Sequence, residues 1–589
     1  MRVDCTINGR GRSFDVEPSM KLREMLLLNG NLAVRDSDDA EGFCGSDTVL
    51  VDGTPVFSNL VLAGEVQGCE IRTPDGLGDP RHLTVVQQAM IDAGIVQSAY
   101  NAPAAALLLT WLLENNPNPT KEDIKDALSG IFIRDAGYEH YYLAVKLAQE
   151  KMKDGKYSTT IAPSFRPECE YIGKPMSKID GAQLVTGDKA FVEDYVPSDA
   201  CHMVVLRSPH ASAYIKSIDT SEAEKVEGVI SILTAYNTPE THYMQAGQGN
   251  PEPSPHDRRL FNLKVRHVGD RVAAVIAETL EEAKAACKLI KVEYEVLPAV
   301  FTVEEAMAPG APAVHDGIVE YRAGAPSDLD EYNKAAKDPR EGKVIYQFPL
   351  GGDIRHNVAA SNKGHIGDVE KAFNESDAVV ECTYQTSQIQ HTPLETHICF
   401  AKMEGQRLVV YASTQVPYHV RRIVGWVTGL PENRIHVIKT RVGGGYGSKQ
   451  DILIEDLTGY AAFVTGKPVL CHNTREEEFI ANSTRHPMRV RVKMSGNKDG
   501  QITGIFMEVC ANTGPYGNHC LTVPMNSCSK TLPLFKVDNM AYDLKVFYTN
   551  TPPAGAYQGY GTPKGTYGLM MAMALLAEKL GIDYKDMVL

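Results

Sequence analysis

No two of the 12 cysteines form a C-x-x-C pair, which removes a zinc ribbon and a thioredoxin-like motif from consideration. No apolar run is long enough to cross a bilayer. The most apolar stretch, 104–113, is too short and predicts a buried helix instead. Basic charge is also in short supply. Lys and Arg total 59 against 74 Asp and Glu, a formal net charge of -15, and phosphate binding needs a basic face, so nucleic acid is not expected as a partner. The opening Met1-Arg2-Val3-Asp4 lacks the apolar core of a signal peptide, and a soluble cytoplasmic protein with reduced thiols is expected. There is no internal repeat.

What is present is an ordinary globular composition. At 589 residues, 43% hydrophobic and 23% charged, the chain has room for about four domains of roughly 150 residues. Short β-like runs at 2–7 and 48–51 flank a helical stretch at 22–28. From 79 onward the pattern is helical. Residues 84–93 stop at Gly94, Pro103 opens 104–113, Thr120 caps a helix that ends at Gly130, and 141–151 supplies a fourth. A four-helix bundle is the natural reading. Residues 152–170 are polar and carry Pro163 and Pro167, as a surface linker would. Further on, 271–277, 280–289 and 291–296 read as strand, helix and strand, a βαβ pattern.

Chemistry concentrates in two glycine loops. Val442-Gly443-Gly444-Gly445-Tyr446-Gly447-Ser448 lies between a strand at 434–440 and a helix at 451–464. Glycines let backbone come close to a ligand, and N–H groups at a helix start favour anions. A dinucleotide fingerprint fails, because it needs glycine where Ser448 stands and no acidic residue ends the next strand. On these residues alone, a ligandless turn and a ligand site stay equally open. Ala556-Tyr557-Gln558-Gly559-Tyr560-Gly561 is a second such loop.

Several motifs occur in one order. They are Ile7-Asn8-Gly9, Thr48-Val49-Leu50-Val51-Asp52-Gly53, Leu128-Ser129-Gly130, Gly137-Tyr138, Arg207-Ser208-Pro209-His210-Ala211 and the two glycine loops. Together they resemble the molybdenum hydroxylases, the xanthine dehydrogenase and aldehyde oxidoreductase family, and most closely its selenium-dependent branch. The resemblance implies a multidomain α+β chain. Residues 1–78 would be a degenerate [2Fe-2S] ferredoxin-like domain of β-grasp form, 79–151 a bundle like the second [2Fe-2S]-binding domain, and 152–172 a linker. Residues 173–303 would be the α/β hammerhead domain, 304–366 a connection, and 367–589 the first part of the molybdopterin-binding domain.

The resemblance also marks positions where cluster cysteines would stand. In the first loop, Asp39, Asp47 and Asn59 replace them beside a retained Cys44. In the second, Ser98, Asn101, Ile133 and Asp135 do so. Thiolate sulfur holds such clusters, so [2Fe-2S] clusters are expected to be absent, and FAD, which needs its own domain, is not expected on this chain. A molybdopterin-type molybdenum cofactor is implied. Gly443, Gly444, Gly445, Tyr446, Gly447, Gly559, Tyr560 and Gly561 would contact it, and a missing half would share it.

Gln450 and Gln558 are the implied substrate residues. Purine-oxidising members usually carry Glu and Arg there. Two neutral amides put xanthine in doubt and point to another purine-like or N-heterocyclic substrate or an aldehyde. The implied chemistry is hydroxide attack on an electron-poor carbon and hydride transfer at molybdenum. No catalytic residue is assigned on this chain. The general-base glutamate is expected in a C-terminal half that nothing in the sequence matches, and activity is expected only with that half or a partner subunit. A second molybdenum-domain subunit and an FAD or iron–sulfur subunit would complete a hetero-oligomer. The alternative is a non-catalytic scaffold unable to transfer electrons. Counting back from Glu395-Thr396-His397 places Ile389 where the family has a glutamine near the metal. His391 and His397 read as structural histidines.

Overall fold

Alternation organises the first strand. In β1 (Arg2–Ile7) Val3, Cys5 and Ile7 turn inward while Arg2 and Asp4 face solvent. The structure, a computed structural model, describes the chain except for residues 36–40, 133–135, 155–167, 174–175, 248, 323, 336–337 and 339. It divides into two units, Met1–Ala190 and Phe191–Leu589.

In the first unit, β1 joins β2 (Arg10–Asp15) through Asn8-Gly9. After α1 (Leu22–Leu28), β3 (Thr48–Val51) joins β4 (Thr54–Phe57) through Asp52-Gly53. All four turn residues have positive φ, the two-residue turn whose twist matches the hairpin. With β5 (Glu70–Arg72) the strands order as β2-β1-β5-β3-β4, and β5 runs parallel to β1. Leu22, Met25 and Leu26, at i, i+3 and i+4, fasten α1 to this sheet.

Four helices follow. Thr84 caps α2 (Val85–Asp92) reciprocally with Gln87. Next comes α3 (Ala102–Asn115), buried along most of its length and bearing Pro103 in its first turn. Thr120 and Asp123 make the same capping box on α4 (Lys121–Ala127). This helix stops three residues before Gly130. The fourth, α5 (Tyr138–Asp154), packs on α2, and a short α6 (Gly181–Thr186) rests on α2 and α3.

In the second unit the strands are β6 (Cys201–Arg207), β7 (Ala213–Asp219), β8 (Val229–Thr234), β9 (Lys264–Val265) and β10 (Arg271–Ala277). Helix α7 (Leu280–Leu289) then leads to β11 (Lys291–Val296). The expected strand, helix and strand all form, yet they do not make a βαβ unit. Strand β10 lies antiparallel between β6 and β8 in a seven-stranded sheet, whereas β11 pairs with β7 in a separate three-stranded one. Burial explains the split. Every residue of β10 is buried, but Glu293 and Glu295 of β11 face water and could not enter the same core.

The seven-stranded sheet continues through Ile435–Lys439, Arg407–Ala412, Ile398–Glu404 and Val469–His472. Arg271 reaches from β10 to Asp456 at 2.9 Å, a fully buried pair that ties the sheet to helix Glu455–Thr465. Burial opposes the charged carboxylate, but the guanidinium wins and holds Asp456 below the ordinary range.

A five-stranded sheet orders Val358–Ile366, Met540–Tyr548, Ile502–Gly514, Met488–Gly496 and Ala378–Gln385. Helix Thr562–Leu580 packs across its last two strands through Leu569, Ala572 and Leu576. Gly568 sits where a Cβ would lie 3.0 Å from Val490. A small sheet of Ile389–Gln390, Thr484–Arg485 and Ala554–Gly555 gathers three distant segments beneath the glycine loops.

Candidate cofactor and substrate site

The chain leaves strand Ile435–Lys439 and turns back on itself using positive φ at Gly444 (95°), Tyr446 (53°) and Gly447 (112°). The second loop does likewise at Gly559 (87°), Tyr560 (41°) and Gly561 (91°). These conformations bring the loops against each other. A Cβ on Gly447 would stand 2.6 Å from the carbonyl oxygen of Ala556, and on Gly561 2.0 Å from that of Val523. The N–H of Gln558 donates to the carbonyl of Tyr446 at 2.7 Å.

Charge anchors the first loop from behind. Lys449 Nζ, with no exposed surface, donates to Glu395 Oε2 at 2.6 Å, to the Glu395 carbonyl at 2.9 Å and to Ser413 Oγ at 3.0 Å. The same carboxylate accepts the N–H of Gly443 at 2.8 Å. Burial lowers the Lys449 ammonium, with Glu395 opposing. Gly443 is therefore committed to Glu395, and the N–H of Gly447 to Gln415 Oε1 at 3.3 Å. The N–H groups of Gly444, Gly445 and Tyr446 make no hydrogen bond among the described residues. They are loop amides. A 3-10 turn, Ser448–Gln450, intervenes, so the α-helix that the sequence suggested at the loop's end starts only at Glu455.

The second loop is anchored by rings. His391 Nε2 lies 2.7 Å from the Ala556 carbonyl and its Nδ1 3.1 Å from that of Ser483; burial pushes its pKa down to about 4. Tyr557 lies against His391, with centroids 4.2 Å apart and rings tilted by 31°, and under Arg485 at 3.7 Å. Tyr560 Oη meets His519 Nδ1 at 2.8 Å, and His519 Nε2 lies 3.0 Å from Asp451 Oδ1. Asp451 follows Gln450 directly, so this chain of contacts links the two loops below their junction. At the start of helix Thr562–Leu580, Lys564 donates to the His486 carbonyl, and burial lowers its pKa to about 7.

Gln450 is half-buried and Gln558 exposed, one in each of the joined segments. Ile389 is 45% exposed. Its neighbours are occupied with structure. Gln388 donates to Thr484 Oγ1 at 2.8 Å and Gln390 to the Glu478 carbonyl. His397 pairs with Glu478 at 2.9 Å, and the pair holds that carboxyl down at about 2 despite burial. The Glu395–Lys449 pair and the Asp451–His519–Tyr560 contacts were not foreseen, since both join residues far apart in sequence. The one available signal was a lysine set inside a glycine-rich loop.

In the first unit, Cys44 is buried with its sulfur 3.1 Å from Ser46 Oγ. The Asp47 carboxylate accepts the N–H of Asn59 at 2.7 Å. Ser98 Oγ accepts the N–H of Tyr100, and Asn101 is buried at the start of α3. Asp39, Ile133 and Asp135 lie outside the described residues. Among the described residues, no group of three or more His, Cys, Asp or Glu is placed to hold a metal ion, and one thiol does not fit a four-thiolate ligand set.

Comparison with known proteins places these features. Residues 352–588 match the molybdopterin cofactor-binding domain, and 186–298 the aldehyde oxidase and xanthine dehydrogenase a/b hammerhead domain. Residues 73–146 match the [2Fe-2S] binding domain. That last match corrects the expectation that [2Fe-2S] clusters are absent, which rested on a few residue types, whereas the domain is identified over residues 73–146. The chain is 49% identical over 588 residues to the probable hypoxanthine oxidase XdhD of Escherichia coli (strain K12), covering all of this chain and 61% of that protein.

It is 30% identical over 421 residues to the nicotinate dehydrogenase large molybdopterin subunit of Eubacterium barkeri, covering 71% of this chain and 88% of that one. The solved aldehyde oxidoreductase from Desulfovibrio gigas shares its fold, with a TM-score of 0.78 at 24% identity over 100% of this chain and 62% of that chain. The chain thus spans about three-fifths of the length of its hypoxanthine oxidase relative. Among the described residues no helix is long and apolar enough to cross a membrane. With a hammerhead domain, a molybdopterin cofactor-binding domain and a relative covered almost end to end, the chain belongs to the xanthine dehydrogenase and aldehyde oxidoreductase family of molybdopterin-binding proteins.

Proposed function

We propose that this chain forms one wall of the cofactor cleft of a molybdenum-dependent oxidoreductase, a hydroxylase or dehydrogenase of a purine-like compound, another N-heterocycle or an aldehyde. The junction of the two glycine loops carries this reading. Among the described residues, three adjacent N–H groups, on Gly444, Gly445 and Tyr446, have no partner beside that junction, and unpaired amides fit the oxygen-rich, anionic end of a molybdenum cofactor. When bound, that cofactor supplies the redox-active metal that activates oxygen for transfer.

The chain's own part is to hold and to orient. Glu395 and Lys449 fix the first loop, His391 and the Asp451–His519–Tyr560 contacts fix the second, and neither needs to reorganise when charge develops above them. Gln450 and Gln558 would read the substrate's edge as donors and acceptors at once, which suits a ring with both kinds of group. The name of the relative at 49% identity, a probable hypoxanthine oxidase, supports a purine-like ring.

The same reading assigns residues 1–78 as a ferredoxin-like domain, 79–151 as a helical bundle, 173–303 as the hammerhead domain and 367–589 as the molybdopterin part. Relatives named as molybdenum-binding or molybdopterin subunits support assembly with a further subunit.

Molybdenum and iron per chain, measured by mass spectrometry on the protein purified from its native source with whatever accompanies it, test the proposal. Molybdenum near one per chain, falling sharply in Gly444→Val, is expected. Molybdenum absent from a folded native preparation would overturn it.

A further inference from the structure

One cleft of the first unit has no part in the site above. It opens between the β3–β4 hairpin and helices α3 and α4, with a volume of about 490 Å³. That lies within the roughly 300–1,000 Å³ typical of small-molecule sites. We propose that this cleft binds a small aromatic organic cation, a flat ring system carrying a protonated amine. The inference stands apart from the proposed function and does not rest on it.

Shape and rigidity come first. Leu108 and Leu112 of α3, with Val56 of β4, give the cleft an apolar lining. Two aromatic side chains complete it, and both are held in place before any ligand arrives. Trp111 donates its indole N–H to the carbonyl of Gly53 at 2.9 Å. Phe57 lies against Gly130 so closely that a Cβ there would stand 2.8 Å from the ring. Fixed aromatic faces lose little conformational freedom on binding and attract both π-systems and cations.

Charge then selects the ligand. Among the described residues, the cleft's charged side chains are Asp123 and Asp126, and no Lys, Arg or His lines it. Asp123 is held by its cap, accepting the N–H of Thr120 at 2.8 Å and Asn116 Nδ2 at 3.2 Å. The lysines of α4 do not neutralise either carboxylate, for Lys121 pairs with Glu139 and Lys125 with Glu122. Asp126 is exposed at the rim with no ion pair among the described residues. An apolar slot with aromatic walls and uncompensated negative charge at its edge discriminates sharply by ligand charge, favouring an aromatic amine over an aromatic acid of the same shape.

Calorimetric titration of the full chain tests this with two probes of matched size, 1-naphthylmethylammonium and 1-naphthoate. The ammonium is expected to bind, at least about tenfold more tightly than the carboxylate. Asp126→Asn should weaken the ammonium about fivefold and leave the carboxylate unaffected or slightly improved, since it removes one rim charge and no core contact. Ala127→Phe, which fills the slot, should abolish binding. Circular dichroism establishes that each variant is folded, and should Ala127→Phe fail to fold, Asp126→Asn alone decides. Equal affinity for both probes, an unchanged affinity in Asp126→Asn, or no heat at millimolar probe would each overturn the proposal.

Discussion

The N–H of Gln558 donates to the carbonyl of Tyr446 at 2.7 Å, closing a contact between segments that six strands and three α-helices separate in the chain. That bond exists because Gly447 has no side chain. The space a Cβ would need is occupied by the backbone of Ala556 and Tyr557.

Gly447→Ala should therefore separate the loops. Its φ of 112° and the 2.6 Å clash act together, and a cost of about 2–3 kcal/mol is expected. Thermal unfolding measures the loss. Hydrogen exchange should speed up at residues 556–561 as well as at 443–447, whereas faster exchange at 443–447 alone would show that the loops do not support each other.

Glu395 and Lys449 should behave as one unit. Glu395→Gln leaves a buried ammonium short of its counter-charge and should cost about 3–5 kcal/mol in denaturant unfolding. Adding Lys449→Met to Glu395→Gln should recover most of that. A double variant no better than the single would mean that Glu395 acts mainly through the N–H of Gly443.

Acid should weaken the second unit through its buried histidines. His391, His242 and His256 each have a folded pKa of about 4 against an ordinary 6.5, lowered first of all by burial. Such groups prefer to be neutral when folded. Their contribution is complete above pH 6.5 and lost as the pH falls through about 4, on the order of 3 kcal/mol for each. Urea unfolding between pH 7 and pH 4, repeated with His391→Asn, should show a shallower fall in the variant.

Lys564 has the same sense of shift in a higher window. Its folded pKa of about 7 lies below the ordinary 10.5, so stability rises from pH 7 towards 10.5 as the unfolded chain alone stays protonated. Lys564→Met should be more stable than the native chain at pH 6, and the gain should shrink steadily on going to pH 10.

Much of the scaffold was legible in the residues. Gly94, Pro103 and Thr120 mark helix ends in the sequence because capping chemistry is local, and α2, α3 and α4 begin or end beside them. Pairing was not legible. Strands β10 and β11 stand close in sequence, yet different sheets claim them, and only their opposite burial separates them. In the site, both glycine loops could be named from sequence, but which amides were free could not. Gly443 looks like its neighbours until Glu395, from another strand connection, takes its N–H. The cluster positions show the converse error, in which a few substituted residues outweighed a segment whose whole pattern identifies its domain.

The division of labour between backbone and side chain at the loop junction bears on how such a protein can change over generations. Its contacts across 446–447 and 556–558 are made by main-chain atoms and depend on what glycine lacks, while the exposed Gln558 side chain makes no hydrogen bond among the described residues. Selection can therefore exchange the residue at 558 at small structural cost, and new ligand preferences can be explored one mutation at a time on an inherited, nearly immutable frame.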